Sequence, residues 1–191
     1  MSFLAEQLND HIRLRTGSTT DMVAFLETGP AESYQFPLNV VTPLLINVQE
    51  DRTNRMVMDT RGLGRTPEID LNLMVLFVCK FNNYQQGLSF LSLVVQFFQA
   101  TPVFDRQQYP SLGVPDAGAK GQMPPLIQKL AVELNTMPFA EQNEVWNALR
   151  TAYLPSVLYK VRMLCYKDRE ALLPAPVVTT VQNSVNPVQA G

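Results

Sequence analysis

The stretch from Ile69 to Thr101 constrains the fold more than any other part of this sequence. It opens with IDLNLMVLFVCKF, in which alternate residues are apolar throughout and the intervening ones change from polar (Asp70, Asn72) to apolar. This alternation predicts a β-strand that is covered on both faces at one end. The next segment, NYQQGLSFLSLVVQFFQ, predicts an apolar helix that ends before Pro102. A buried strand followed by such a helix predicts a sheet with helices packed on it.

Two further helices are predicted from apolar residues at helical spacing. The first has Ser2 as its cap and ends at residues 16–18, in a Thr-Gly-Ser sequence. The second carries Trp146 on its apolar face and ends at Pro155. Strict alternation over 156–166 then predicts a strand, so that this helix and strand should form one scaffold unit.

Shorter strands are predicted over 21–30, 39–50 and 127–134. Pro43 lacks an amide hydrogen, which places the strand over 39–50 at a sheet edge or puts Pro43 near its start. The Pro- and Gly-rich residues 105–125 predict a long loop. The expected fold class is therefore α/β (α+β), with a single mixed, mainly antiparallel sheet and helices packed on it.

Length and composition limit the number of domains and the class of partner. The 191 residues predict one domain over 1–170 and an extended tail over 171–191. Charged residues make up 17% of the chain against 46% hydrophobic residues, whereas soluble domains usually have about 25% charged residues. This shortage of charge favours a surface that is partly covered by partner proteins. A net charge of -2 gives no overall attraction to nucleic acid.

Residues that could support catalysis or metal binding are scarce. The sequence has 1 histidine, His11, which cannot build a zinc site of three or four ligands, and we interpret it as an exposed helical residue. Cys79 and Cys165 lie in apolar runs, which favours buried, reduced thiols. The glycines of RGLGR are not followed by the Lys-Ser/Thr of a phosphate loop. We predict no catalytic residue, metal or cofactor, and no enzyme activity.

Residues 81–104 carry no charge, which raises the possibility of a membrane span. Asparagine and glutamine side chains interrupt the segment, however, and a spanning helix needs roughly 20 mainly apolar residues. We therefore predict no membrane span. The N-terminal sequence MSFLAEQLNDHIRLR mixes charged and apolar residues, unlike a signal peptide.

The helix predicted after residue 83 has an uncharged polar stripe on an otherwise apolar surface. The stripe consists of Gln85, Ser89, Ser92, Gln96 and Gln99. Neutral amides and hydroxyls are desolvated at lower cost than charges, which favours contact with a neighbouring subunit. The alternative, that the stripe faces water, remains open from the sequence.

Two other segments are candidates for contact with partners. The first is an arginine-rich loop that contains Arg52, Arg55, Arg61 and Arg65. Interleaved acidic residues argue against nucleic acid there and leave salt bridges between subunits or simple solvation. The second is the uncharged, β-branched sequence PVVTTVQNSV in the tail. It can either add as a strand to an exposed sheet edge or remain disordered.

Three stretches, taken in order, carry a resemblance to a known family. They are NVVTPLLINVQEDRTNR, IDLNLMVLFVCKFNNYQQGLSFLSLVVQFFQATPVF and LAVELNTMPFAEQNEVWNALRTAYLPSVLYKVRMLCY. Together they resemble the cap proteins of phage-tail-like contractile injection systems, over about residues 20–168. The chain looks like the first domain of such a cap, which implies a tail-terminator-like fold. Some members have a second C-terminal domain, whereas this chain is expected to have only a tail after Leu173.

The resemblance implies a structural role in an assembly. Cap proteins of this kind form a six-fold ring, a hexamer, that ends the inner tube and binds the last sheath layer. Expected partners are thus copies of this chain, the inner tube protein and the sheath protein. Assembly would take place in the bacterial cytoplasm, and the finished particle would be extracellular or membrane-anchored. The alternative is an adaptor that links such a particle to a membrane or another protein through residues 105–125 or the tail.

Overall fold

The computed structural model describes residues 1–26, 35–51, 70–112 and 126–166, and within them the chain forms three helices and five strands. In chain order these elements are α1 (Ser2–Thr16), β1 (Val40–Asp51), β2 (Asp70–Lys80), α2 (Tyr84–Ala100), β3 (Val103–Asp105), β4 (Leu126–Asn135), α3 (Phe139–Ala148) and β5 (Ser156–Tyr166). The predicted tail, residues 171–191, lies outside the described residues.

The five strands form one sheet in the order β1-β2-β5-β4-β3, and each neighbouring pair is antiparallel. This arrangement confirms the predicted class of one mainly antiparallel sheet with helices packed on it. β2 and β5 occupy the second and third positions, with neighbours on both sides. β1 is an edge strand, which is one of the two arrangements that Pro43 predicted.

The strand predicted over 21–30 is reduced, among the described residues 21–26, to one parallel bridge between Val23 and Val41. The reason lies in the competing bonds of its backbone. The amides of Met22 and Val23 donate to the side-chain oxygen of Asn9 on α1, at 2.7 and 3.2 Å. Amides that donate to Asn9 cannot extend a strand ladder.

Helices cover both faces of the sheet. On one face Val75, Phe77 and Cys79 of β2 pack with α1 and α2. On the other face Met74, Leu76 and Val78 of β2 pack with Trp146 and Leu149, which lie in and directly after α3. The prediction that one end of this strand is covered on both faces is therefore confirmed.

Two helix ends differ from the sequence prediction. Met1, not Ser2, is the N-cap of α1, and no side-chain hydrogen bond caps that end. α3 ends at Ala148 and does not continue to Pro155. The chain leaves the helix at Arg150, which adopts a left-handed conformation with φ 52°. Pro155 instead comes directly before β5, where its carbonyl accepts a hydrogen bond from the amide of Cys79.

Candidate assembly surfaces

The uncharged stripe lies on the solvent-exposed face of α2. All five of its residues, Gln85, Ser89, Ser92, Gln96 and Gln99, are exposed. The opposite face of the helix is buried, with Phe98 5.1 Å from the ring of Phe77 on β2. The helix begins at Asn83, whose side chain accepts a hydrogen bond from the amide of Gln85. α2 thus packs most of its apolar residues against the sheet and exposes an uncharged polar stripe to solvent.

The hydroxyl groups of the two serines in the stripe donate hydrogen bonds within α2 itself. Ser89 Oγ donates to the carbonyl of Gln85 and Ser92 Oγ donates to the carbonyl of Leu88, each at 3.0 Å. Because these protons are bonded within the helix, covering the serines with a partner leaves no orphaned donor. Tyr84 and Leu88 add apolar surface beside the stripe, with exposed fractions of 64% and 41%.

The exposed face of α2 is too small to form a stable interface by itself. A helix of 17 residues is about 25 Å long. A stable interface buries roughly 800 Å² on each partner, more than one helix face supplies. Neighbouring surface must therefore contribute to any stable contact. α1 lies beside α2 on the same side of the sheet and exposes Leu14.

The edge strand β1 is a second surface that a partner could bind. From Val40 to Gln49 its sequence contains no charged residue. Leu45 and Val48 are 44% and 50% exposed. Natural edge strands are usually protected by charges, prolines, β-bulges or covering segments, and between Val40 and Gln49 the strand itself has Pro43 and one irregularity, between Leu45 and Asn47. Pro43 allowed an edge position for this strand, but no sequence pattern identified its exposed apolar residues.

A third exposed surface surrounds the outer side of α3. Phe139, at the start of the helix, is 90% exposed, and Tyr153 is 56% exposed. Tyr153 lies outside the helix, yet its ring contacts Trp146 edge-on with centroids 5.6 Å apart. Trp146 itself is buried, as predicted, so its indole anchors α3 to the sheet rather than to a partner.

A cavity of about 150 Å³ lies beneath α3. Its described lining includes Leu76, Trp146 and Leu158, with polar groups from Asn135 and Gln142. No described lining residue has an acidic, basic or thiol side chain. The Ser156 hydroxyl also lines this cavity, but no described lining residue provides a base that could activate it as a nucleophile.

Two potentially reactive side chains, Cys79 and His11, lie in the described part of the chain. Cys79 is buried as a free thiol, and burial raises its pKa to about 12, which keeps it protonated and unreactive. His11 is partly buried against Phe97, so the interpretation as an exposed residue is wrong. Within 1–26, 35–51, 70–112 and 126–166, histidine, cysteine and acidic side chains form no group able to hold a metal ion.

One ionic cluster lies on the α3 side of the sheet, at the end away from Trp146. Nε of Arg162 is 3.4 Å from Asp51 Oδ2, and a second guanidinium nitrogen is 3.9 Å from Glu133. The side chain of Asp51 is only 5% exposed. This arrangement joins strands β1, β5 and β4 and acts as a structural link between them.

Several predicted contact residues lie outside the described part of the chain. Arg52, Arg55, Arg61 and Arg65 belong to the segment between β1 and β2 that the structure does not describe. The same holds for residues 113–125 of the predicted loop, while residues 106–112 form turns. Among the described helices, none is long and apolar enough to cross a membrane.

The chain belongs to the Pvc16 N-terminal domain family, whose model matches residues 1–180. No curated protein matches the chain. Among solved structures, the chain is similar to one described as the sheath/tube terminator of an extracellular contractile injection system, PVC, in its extended state. The identity is 13% and the TM-score 0.44, over 96% of this chain and 65% of the solved one.

Proposed function

We propose that this protein is a structural component of a contractile injection system, in which it ends the inner tube and binds the last sheath layer. The observation that carries the proposal is membership of the Pvc16 N-terminal domain family over residues 1–180. The resemblance to cap proteins, drawn from three separate stretches of sequence, implies the same role. The role is one of assembly rather than catalysis, and the particle would be put together in the bacterial cytoplasm.

The cap would form a ring of six copies through the exposed face of α2. The polar stripe is uncharged and its serine hydroxyls are hydrogen-bonded within α2, so its desolvation costs little free energy. Leu88 beside the stripe provides apolar area. Because this face alone is too small for a stable interface, α1 would contribute the adjoining surface. The outer side of α3 then remains for contact with the tube or the sheath.

Two single substitutions in the first turn of α2, each of which introduces one negative charge, test whether the ring forms through this face. Gln85 lies on the stripe, and Gln86 is exposed but points about 100° away around the helix. Both lie in the first turn of α2, which has no acidic residue. There a carboxylate interacts favourably with the helix dipole, so that neither change should lower stability. Gln85→Glu should weaken the ring at least about tenfold, because it buries a charge in the contact, and Gln86→Glu should leave it intact.

The measurement is sedimentation velocity over a range of concentrations, followed by electron microscopy of tubes grown with the protein. We expect a ring that caps tube ends and limits tube length. A protein that stays monomeric at high concentration and binds neither tube nor sheath ends would contradict the proposal. Binding to a membrane or another protein through residues 105–125 would instead indicate an adaptor.

A further inference from the structure

The outer side of β1 has hydrogen-bonding groups that the described residues leave unpaired. At Val41 this side is occupied, since the amide of Val41 donates to Met22 and its carbonyl accepts from Ala24. Beyond Val41, the described residues supply no backbone partner to the outer side of residues 44–49. This stretch therefore offers an edge to which another strand can be added.

The register of the sheet identifies which residues present the free groups. Val41, Leu45 and Val48 all pair with odd-numbered residues of β2. The odd-numbered residues bond to the other neighbour, β5, as the hydrogen bond from the amide of Cys79 to the carbonyl of Pro155 shows. The backbone groups of Leu45 and Val48 consequently point away from the sheet.

The chemistry of this edge defines what fits it. The edge is uncharged up to Gln49, and its side chains at positions 45 and 48 are apolar and about half exposed. Its occupant should be an extended, uncharged segment rich in β-branched residues. The tail contains such a segment, VVTTVQNSV, at residues 177–185.

We propose that residues 177–185 of this same chain add to the free edge of β1 as a sixth strand of the sheet. The place where the described chain ends supports this choice of occupant. β5 ends at Tyr166, at the same end of the sheet as Asp51, the last residue of β1. A segment that enters from this end runs opposite to β1 and pairs with it in antiparallel orientation.

The distance is within reach of the intervening residues. A strand beyond β1 lies three strand spacings from β5, about 14 Å. Residues 167–176 can span up to roughly 33 Å when extended. The added strand would cover the apolar side chains of Leu45 and Val48. This inference does not rest on the proposed function, because it concerns the isolated monomer.

Amide hydrogen exchange on the full chain, measured residue by residue by NMR, tests the added strand. Thr179→Pro combined with Val181→Pro removes two amide donors from the segment. Ala190→Pro, beyond the segment, is the matched control. The amides of Leu45 and Val48 should exchange at least about tenfold more slowly in the unaltered chain and the control than in the double variant.

The amides of β5 serve as an internal check that all variants are folded, and they should keep equal protection. Equal exchange at Leu45 and Val48 in all three proteins, whether fast or slow, would overturn the proposal. Light scattering at each concentration identifies the source of the strand. Protection that appears only as the measured mass doubles would place the strand on another copy and would also overturn it.

Discussion

The imidazole ring of His11 lies 5.2 Å from the phenyl ring of Phe97, and this contact joins α1 to α2 above the sheet. Nε2 of His11 is buried and has no hydrogen-bond partner among the described residues. Burial, and to a smaller extent the charge of Arg15, lowers the pKa of His11 below 6.5. The packing of the two helices therefore favours the neutral imidazole.

Stability should fall as His11 becomes protonated. Because its pKa is lowered in the folded state, the unfolded chain binds the proton more readily, and the stabilisation is complete only above pH 6.5. Urea denaturation between about pH 7.5 and pH 5.5 should show that the free energy of unfolding becomes smaller as the pH is lowered. His11→Gln should remove this part of the slope, and Arg15→Gln should reduce it less. An unchanged slope in His11→Gln would show that other groups cause it.

Trp146 should be a stability residue rather than a partner contact. Its indole is buried against the α3 side of the sheet and lies 6.2 Å from Phe36. Trp146→Ala should lower the free energy of unfolding by about 3–5 kcal/mol through the cavity it leaves. Phe139→Ala, which removes a 90% exposed ring from the same helix, should change it by less than about 0.5 kcal/mol. Chemical denaturation measures both, and unchanged stability with failed assembly in Trp146→Ala would make Trp146 an interface residue.

The two described glycines should respond in opposite ways to alanine. Gly17 ends α1 with φ 69°, where a Cβ is strained, so Gly17→Ala should cost about 1 kcal/mol. Gly87 lies inside α2, and a Cβ there would contact the Cys79 carbonyl at 3.5 Å and Pro155 at 3.6 Å, which are ordinary packing distances. Gly87→Ala should therefore stabilise the protein by about 0.5–1 kcal/mol through helix propensity. Thermal unfolding of both variants checks the two signs, and a loss of stability at Gly87 would show that α2 is pressed closer to the sheet.

Cys79 should resist thiol reagents while the protein is folded. Its pKa is raised from 9.0 to about 12 by burial, so almost no thiolate forms at neutral pH. In a Cys165→Ala background, iodoacetamide should label Cys79 only in denaturant. Rapid labelling of the native protein, followed by mass spectrometry, would contradict this expectation. The same shift makes stability depend on pH. Because the folded protein favours the neutral thiol, Cys79 stabilises it fully below pH 9.0, and this stabilisation is lost as the pH rises from 9.0 towards 12.

Local patterns in the sequence were sufficient for several elements. The alternation over 69–81 predicted a strand covered on both faces, and the structure places helices on either side of β2. The periodicity after residue 83 predicted α2 and the position of its polar stripe along one line of the helix, and the stripe residues are exposed. Pro43 predicted either an edge position, which the structure shows, or a place near the start of the strand. These features depend on neighbours within a few residues along the chain, and that is the range over which a sequence pattern carries information.

The sequence by itself thus determined most of the helices and strands and, for β2 and α2, the faces that they bury. Only the tertiary structure decided the strand order, the open edge at Leu45 and Val48, the burial of His11 against Phe97 and the contact of Tyr153 with Trp146. Each of these joins residues that are far apart in sequence or depends on what a neighbouring element leaves uncovered. Periodicity cannot encode such relationships, because they follow from how the completed layers pack together.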